Sequence, residues 1–419
     1  MNRDNFLEKL LNGVAVEWKP LGELGALVRG NGLQKKDFTE TGVPAIHYGQ
    51  IYTYYGLSTT TTKSFVSPEL AKQLRKVDKG DVVITNTSEN IEDVGKALVY
   101  LGEHQAVTGG HATIFQPGGC ILGKYLAYFT QTDEFTNEKR KHAKGAKVID
   151  VSASDMAKIV IPIPCPEDPK KSLEIQSEIV RILEAFAALT TELTEELTAR
   201  KKQYAYYRDQ LLSFEEGDVE WKTLGEVANV QRGASPRPIA HYITESEDGL
   251  PWIKIGDTSP DSKYVTGTAQ RITLEGAKKS RILNKGDFIV SNSMSFGRPY
   301  ILDIRGAIHD GWASICGFED KLNSDYLYHY LSSNKVQCYW ERKINSGSVS
   351  NLNADIIKTL PIPIPDHPEQ KKIVAILDKF DALTNSISDG LPREIELRQK
   401  QYEYYRDMLF SFPKPQEVA

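Results

Sequence analysis

Two stretches of the chain carry their apolar residues at helical spacing. In the first, Ile175, Ile179, Ile182, Phe186, Leu189 and Leu193 follow steps of four and three, and Leu197, Arg200, Tyr204, Tyr207 and Leu211 continue them. This is a heptad stripe with one extra four-residue step at Leu193 to Leu197, a stutter inside two copies of a Thr-x-Glu-Leu unit. The second stripe runs Ile373, Ile376, Phe380, Leu383, Ile387, then Ile395, Tyr402, Tyr405 and Leu409. It holds four more residues than the first, about 6 Å of helix, around Asp389-Gly390-Leu391-Pro392. Gly390 and Pro392 predict a break there, with Pro392 restarting the helix. Each stripe needs an apolar partner, either the other stripe folded back antiparallel or the helix's own globular domain. Aromatic and aliphatic residues at equivalent steps favour the paired arrangement.

The stretches before the stripes follow a shorter period. Val82-Val83-Ile84 and Phe288-Ile289-Val290 each follow a Lys-Gly-Asp turn and predict buried strands. Residues 42–48 and 249–255 read as a turn followed by a strand. Pro162, Pro164, Pro361 and Pro363 forbid helix and predict an extended exit from each globular part.

These parallels form a tandem duplication. Val16-Glu17-Trp18-Lys19 returns as Val219-Glu220-Trp221-Lys222, an offset of 203. Ile161-Pro162-Ile163-Pro164 returns as Leu360-Pro361-Ile362-Pro363 at 199, and Arg200 to Asp209 returns as Arg398 to Asp407 at 198. Gly110-His111 falls opposite Gly311-Trp312. Asn2 to Leu11 echoes Tyr207 to Leu212, so the order reads as circular. The expected class is α+β: two mixed α/β domains alternating with two long helices that pair as an antiparallel coiled-coil spacer, related by a pseudo-twofold. The expected segments are 1–14, 15–158, 159–215, 216–358 and 359–419.

Composition narrows the function. Lys and Arg total 51 against 56 Asp and Glu, a net charge of −5, which excludes a uniformly basic DNA-coating protein but leaves room for basic faces. Glu174, Glu178, Glu184, Glu192, Glu195 and Glu196 gather on the first helical stretch, which suits contact with protein rather than DNA. Cys120, Cys165, Cys316 and Cys338 form no C-x-x-C pair, so neither a zinc site nor a disulfide frame is expected. With no signal segment and no apolar run near the roughly 18 residues that span a bilayer, a cytoplasmic chain without membrane association is expected.

No residues stand out as catalytic or metal-binding. There is no G-x-x-x-x-G-K-[ST] loop and no Asn-Pro-Pro-Tyr or Asp-Pro-Pro-Tyr segment. Glu17-Trp18-Lys19 and Glu220-Trp221-Lys222 mimic the end of a nuclease site, but both open a domain at a repeat boundary. His111 could act as a base, yet Trp312 opposite it cannot carry protons.

Two variable domains alternating with two similar helical regions resemble the specificity (S, HsdS) subunit of type I restriction–modification systems. The resemblance rests on the Pro-Ile-Pro exits, the helix starts around Ile175-Gln176 and Glu369-Gln370, and the Gln-Tyr-x-Tyr-Tyr-Arg-Asp ends; the Thr-x-Glu-Leu pair looks like the IC subfamily. It implies that each variable domain is a target recognition domain for half of a bipartite double-stranded DNA sequence. It implies that the helices act as a ruler and docking surface for two modification (methyltransferase) subunits, with restriction subunits joining through that assembly. The chain itself would carry no cofactor: S-adenosylmethionine belongs to the modification subunit, ATP and Mg to the restriction subunit. A stand-alone interaction scaffold and a degenerate nuclease are the readings from other classes.

Base edges are read by Arg, Asn, Gln, Ser and Thr, and phosphates are held by Lys and Arg. One candidate set follows the Lys-Gly-Asp strand: Asn86, Thr87, Ser88, Asn90 and Lys96 in the first domain, and Ser291, Asn292, Ser293 and Arg298 in the second. Such residues also make ordinary solvated turns. His111 and Trp312 are a second set, with core packing the alternative for Trp312. The third is basic: Lys139, Arg140, Lys141 and Lys144, matched by Arg342, Lys343, Asn345 and Ser348. Arg29 and Arg232 recur before a glycine and suit either a phosphate contact or a bond within the fold. The spacer and docking candidates are Phe186, Leu189, Leu193, Leu197, Tyr204 and Tyr207, with Phe380, Leu383, Ile387, Tyr402 and Tyr405.

Overall fold

The computed structural model describes residues 11, 13–215, 217–259, 262–292, 297–345, 351–386 and 389–414, with only the backbone of Asn345. The chain divides into two compact units, Met1–Thr190 with Arg398–Ala419, and Thr191–Leu397. The Lys-Gly-Asp turns show how local sequence sets up each one. Gly80 and Gly286 take φ of 98° and 95°, a conformation that favours glycine. The next residue, Asp81 or Asp287, accepts a hydrogen bond from the backbone N–H of Asp78 (2.8 Å) or Asn284 (2.7 Å), closing the turn. The strands that follow, Val82–Thr85 and Phe288–Ser291, are wholly buried.

Both units use one strand order. In the first, one sheet runs Gly25–Arg29, Ala112–Pro117, Val82–Thr85, Ala97–Tyr100, Ser58–Thr59, and the other Phe38–Thr39, Ser64–Val66, Val43–Ile46, Ala106–Thr108, Arg75–Val77. The second repeats this as Asn229–Arg232, Trp312–Cys316, Phe288–Ser291, Pro299–Leu302, Tyr264–Val265, and as Ile243–Thr244, Arg271–Ile272, Leu250–Ile253, Gly306–Ile308, Arg281–Leu283. Parallel and antiparallel neighbours mix in each, as expected of an α+β domain.

The repeated motifs at the start and end of each domain are partners. Val16–Pro20 pairs antiparallel with Val160–Pro164, Trp18 opposite Pro162; Glu220–Thr223 pairs with Pro361–Ile364, Trp221 opposite Pro363. A two-stranded ribbon consists only of edges, where proline is tolerated. This pairing corrects the alignment. Pro162 corresponds to Pro363 rather than Pro361, an offset of 201 instead of 199. Tyr125 and Tyr326, 201 residues apart, donate their hydroxyls to the carbonyls of Pro162 (2.7 Å) and Pro363 (3.1 Å).

The ribbon leads into the long helices. Helix α1 (Pro169–Leu211) runs without interruption through the Thr-x-Glu-Leu pair. The second stretch is broken into α2 (His367–Asn385) and α3 (Leu391–Leu409). The break falls where expected: a Cβ on Gly390 would stand 2.5–2.9 Å from the carbonyls of Ala382, Leu383 and Ser386. Asp168 and Asp366 cap their helices by accepting from the N–H of Lys171 (3.1 Å) and Glu369 (2.8 Å).

Each helix serves both partners that the stripes left open. In the first unit, Phe186 of α1 stacks on Tyr405 of α3, ring centroids 4.9 Å apart. In the second, Tyr204 and Tyr207 of α1 stack on Phe380 of α2. The earlier part of α1 thus meets the later helix and the later part meets the earlier one, as antiparallel pairing requires. The same helices also enter the domain cores. Ile175, Ile179, Val180 and Leu183 are buried with Phe115 and Tyr125; Ile373 and Leu377 are buried with Phe288 and Tyr326. Two contacts per helix turn the buried arc away from a simple heptad line. On α2 the buried positions are Gln370, Ile373, Leu377 and Thr384, whereas Ile376 and Leu383 are exposed, contrary to the expected stripe. Leu189, Leu193 and Leu197 are half-buried, and Ile387 lies outside the described residues.

Side chains fasten helix to domain in equivalent ways. Buried Gln176 donates to the carbonyl of Cys120 and accepts from the N–H of Leu122, both 2.9 Å. Buried Gln370 does the same with Lys321 (2.9 Å) and Asn323 (2.7 Å). Tyr402 donates to Gln131 at 2.6 Å in the first unit. In the second, the Tyr204 hydroxyl meets His329 Nδ1 at 2.9 Å, and His329 Nε2 meets Asp378 at 2.8 Å. Early and late segments of the described chain meet in the first unit: Trp18 Nε1 donates to the carbonyl of Pro413 (3.0 Å), and Leu11 shares a core with Leu409, Phe410 and Phe412. All four cysteines are free thiols, and no described helix is long and apolar enough to cross a membrane.

Replacing Gln176 with alanine strands a buried N–H and a buried carbonyl. The variant is expected to lose about 2–3 kcal/mol of stability, read as a lower denaturant midpoint for the first unit.

Candidate nucleic-acid interface

The end of each domain's central sheet carries a turn held by the same backbone bonds. Asn86 N–H donates to the carbonyl of His111 (2.9 Å), and Asn292 N–H to that of Gly311 (3.0 Å). Gly30 N–H donates to Ala112 and Gly233 N–H to Trp312. Arg29 Nε donates to the carbonyl of Gly110 (2.9 Å), and Arg232 Nε to that of Asp310 (3.2 Å). The two recurring arginines therefore make a bond within the fold. Gly30 and Gly233 must be glycine, since a Cβ would sit 2.2 Å from the Gly109 carbonyl oxygen or 2.1 Å from that of His309.

These bonds overturn one alignment. His111 corresponds to Gly311, and Trp312 corresponds to Ala112. Trp312 is fully buried and packs edge-on against Tyr300, so it is core. His111 is exposed. Thr87 Oγ1 lies 2.8 Å from its Nδ1, and the Tyr48 ring lies 4.8 Å away. Tyr48 in turn lies against His47, 4.5 Å between ring centroids. Burial pushes the His47 pKa down, helped by the nearby charges of Lys35 and His111.

The second domain fills the same place with other chemistry. His309 Nδ1 accepts from Gly311 N–H (2.9 Å), and its Nε2 lies 3.0 Å from Asp310. Ser235 Oγ donates to Asp310 (2.9 Å), and Arg237 stands 3.7 Å from the same carboxylate. Partial burial raises the Asp310 pKa, but the Ser235 hydrogen bond and the charges of His309 and Arg232 outweigh it and hold the carboxyl below its ordinary value. Beside these groups lies a cavity of about 490 Å³, with Ile239, Ile243 and Trp252 as apolar walls and Lys254, Gln270 and Arg237 among its polar ones. Lys254 Nζ donates to Gln270 at 2.9 Å.

Several expected contact residues turn inward. Asn86, Thr87, Ser88, Ser291 and Asn292 are buried: Asn86 accepts from Thr113 (2.7 Å), and Thr87 and Ser88 form a short strand with Ile149–Asp150. Lys139 is 3% exposed and donates to the carbonyl of Val94 (2.6 Å), so it supports the fold instead of a phosphate. Asn90, Lys96, Arg140, Lys141 and Lys144 are exposed; Lys96 pairs with Asp93, Lys141 with Glu138 and Lys144 with Asp155. Arg298 is half-buried over the Tyr300 ring; Arg342 and Lys343 are exposed, Lys343 over Tyr339. Ser293 and Ser348 lie outside the described residues, as does the Asn345 side chain. The residues not anticipated are His47, Tyr48, Arg237, Lys254, Gln270, His309 and Asp310. The segment Ile308-His309-Asp310-Gly311-Trp312, aligned by one residue differently, and the matched stretches 42–48 and 249–255, which set His47 opposite Lys254, carry the sequence signal for some of them.

The type I restriction modification DNA specificity domain family matches residues 14–200 and again 216–397. The chain belongs to this family. Among specificity subunits, it is 38% identical over 429 residues to one from an Escherichia coli type I restriction enzyme, covering all of both chains. It is 31% identical to that of the EcoprrI type I restriction enzyme of Escherichia coli, covering 93% of each. Solved structures share the fold at 17% identity. A chain from a type I R-M system structure superposes with a TM-score of 0.67, covering 94% of this chain and 97% of that one. The HsdS subunit from Thermoanaerobacter tengcongensis gives 0.50, covering 94% and 96%.

Burial lowers the Lys139 pKa to about 8. Between about pH 8 and 10.4 the unfolded chain of this family member then binds more protons at Lys139 than the folded one, so this residue's contribution to stability rises with pH. Lys139→Met is expected to remove that rise in urea unfolding measured across this range, while leaving DNA affinity unchanged.

Proposed function

We propose that the chain is the DNA sequence-specificity subunit of a type I restriction–modification complex. Each α/β domain acts as a target recognition domain for one half of a bipartite double-stranded target. The observation that carries this reading is the shared frame: two domains with one strand order and the same backbone bonds around one turn, filled with different hydrogen-bonding side chains. A protein that reads two unlike half-sites needs such a pair, because base discrimination depends on which donors and acceptors face the groove.

The paired helices set the distance between the half-sites and dock two modification (methyltransferase) subunits. Tyr204 and Tyr402 are used up inside the fold, so docking falls to the apolar side chains left exposed, Tyr206, Tyr207, Ile376, Leu383, Leu397 and Tyr404. The chain is non-catalytic on this reading. S-adenosylmethionine works on the modification subunit, and ATP with Mg on restriction subunits that join through the complex. The IC subclass rests on the Thr-x-Glu-Leu pair in α1.

Adding one Thr-x-Glu-Leu unit after Leu197 lengthens α1 by one turn, about 6 Å, against a base-pair rise of about 3.4 Å. Methylome sequencing of cells with the variant and its modification subunit is expected to show a gap changed by one or two base pairs and both half-sites intact. An unchanged gap would remove the ruler. Exchanging residues 218–358 for another such domain is expected to alter one half-site only; a change in both would show that the readers are not independent.

A further inference from the structure

We infer that the second domain reads its half-site at the turn formed by His309, Asp310 and Gly311, with Arg237 as the residue that contacts a guanine edge. This rests on the proposed function and names where and how the readout occurs. The turn is the place where the two domains share the backbone bonds from Asn86 or Asn292, Gly30 or Gly233 and Ala112 or Trp312, and differ in what they present. Matched through the backbone bonds and strand pairing, Gly109 is equivalent to His309, Gly110 to Asp310, and His47 to Lys254. A fixed frame with exchanged side chains changes the ligand read without changing the fold.

The chemistry at the second turn suits a base edge better than a phosphate. The Arg237 side chain is 85% exposed, and Asp310 stands 3.7 Å away. Asp310 is itself anchored by Ser235 and His309. At that distance the carboxylate orients the guanidinium without occupying its full fork of donors. It also offsets the positive charge, which weakens attraction to a bare phosphate. A planar fork held in this way matches the O6 and N7 acceptors of guanine. Ile239, Ile243 and Trp252 form an apolar floor beside it.

The test uses the full-length chain assembled with its modification subunit. Methylome sequencing gives the motif, and binding is measured to duplexes that carry each single base-pair change in it. Arg237→Ala is expected to lose about 10- to 100-fold of discrimination at one guanine-containing base pair of one half-site, with the other half-site unchanged. Arg237→Lys, which keeps the charge but not the fork, is expected to relax the same base pair. Asp310→Asn is expected to relax it less. Two results overturn the inference: an unchanged motif in the Arg237 variants, or a uniform loss across all duplexes that lysine restores, which marks a phosphate contact. The melting temperature of each variant is measured alongside, and a variant that retains it but loses all binding to every duplex also counts against base readout. If the wild-type complex itself methylates without sequence preference, the proposed function fails, whatever the variants do.

Discussion

Each domain depends on the ribbon that joins its first strand to its last. Trp18 opposite Pro162 and Trp221 opposite Pro363 bring the two ends of a domain together, so the helix leaves from beside the point where the domain began. The prolines help in two ways: they keep the exit extended, and they confine it to a ribbon that cannot grow into a larger sheet. Tyr125 and Tyr326 lock the same carbonyls from within the core, so strand, domain and helix start are fixed as one body.

The helices inherit their position from that joint. Gln176 and Gln370 satisfy backbone groups at the edge of the domain while sitting about two turns and one turn inside their helices, and the apolar residues around them complete the domain core. A helix anchored on its domain can still present another face to a second helix, and the stacked rings of Phe186 with Tyr405 and of Phe380 with Tyr204 do this. The division of labour explains the aromatic side chains at these steps. A large flat ring covers the gap between helices while leaving the neighbouring aliphatic positions to the domain.

The interface follows the same separation of frame from content. Arg29 and Arg232, two equally charged residues, are spent on holding a carbonyl, and the buried hydroxyls and amides after each Lys-Gly-Asp strand hold the sheet end in place. What remains for a ligand are the side chains carried by the turn and by the neighbouring sheet: His111 beside Tyr48 in one domain, Arg237 with Asp310 and His309 in the other. Thr87 and Ser235 show how the frame reaches this content: buried Thr87 meets the His111 ring, and half-buried Ser235 holds the Asp310 carboxylate.

The duplication, the alternation of α/β domains with long helices and the break at Gly390 can all be read from the order of residues. They depend on local rules: periodicity, glycine and proline chemistry, and motifs with fixed spacing. Sequence and structure part where a choice depends on neighbours remote in sequence. The exit motif could be matched at 199 or 201, and only its pairing with the opening strand selects 201. His111 was set opposite Trp312 because both follow a glycine, whereas the backbone bonds of the sheet place Gly311 there and send Trp312 into the core. Leu383 lies on the helical stripe, yet it is exposed while Thr384 beside it is buried. Lys139 looks like part of a basic run until the fold brings the carbonyl of Val94 to its ammonium group. Local sequence thus determined which elements form and where they end, and packing decided which face of each is buried, because burial is a property of surfaces that meet and not of the residues that carry them.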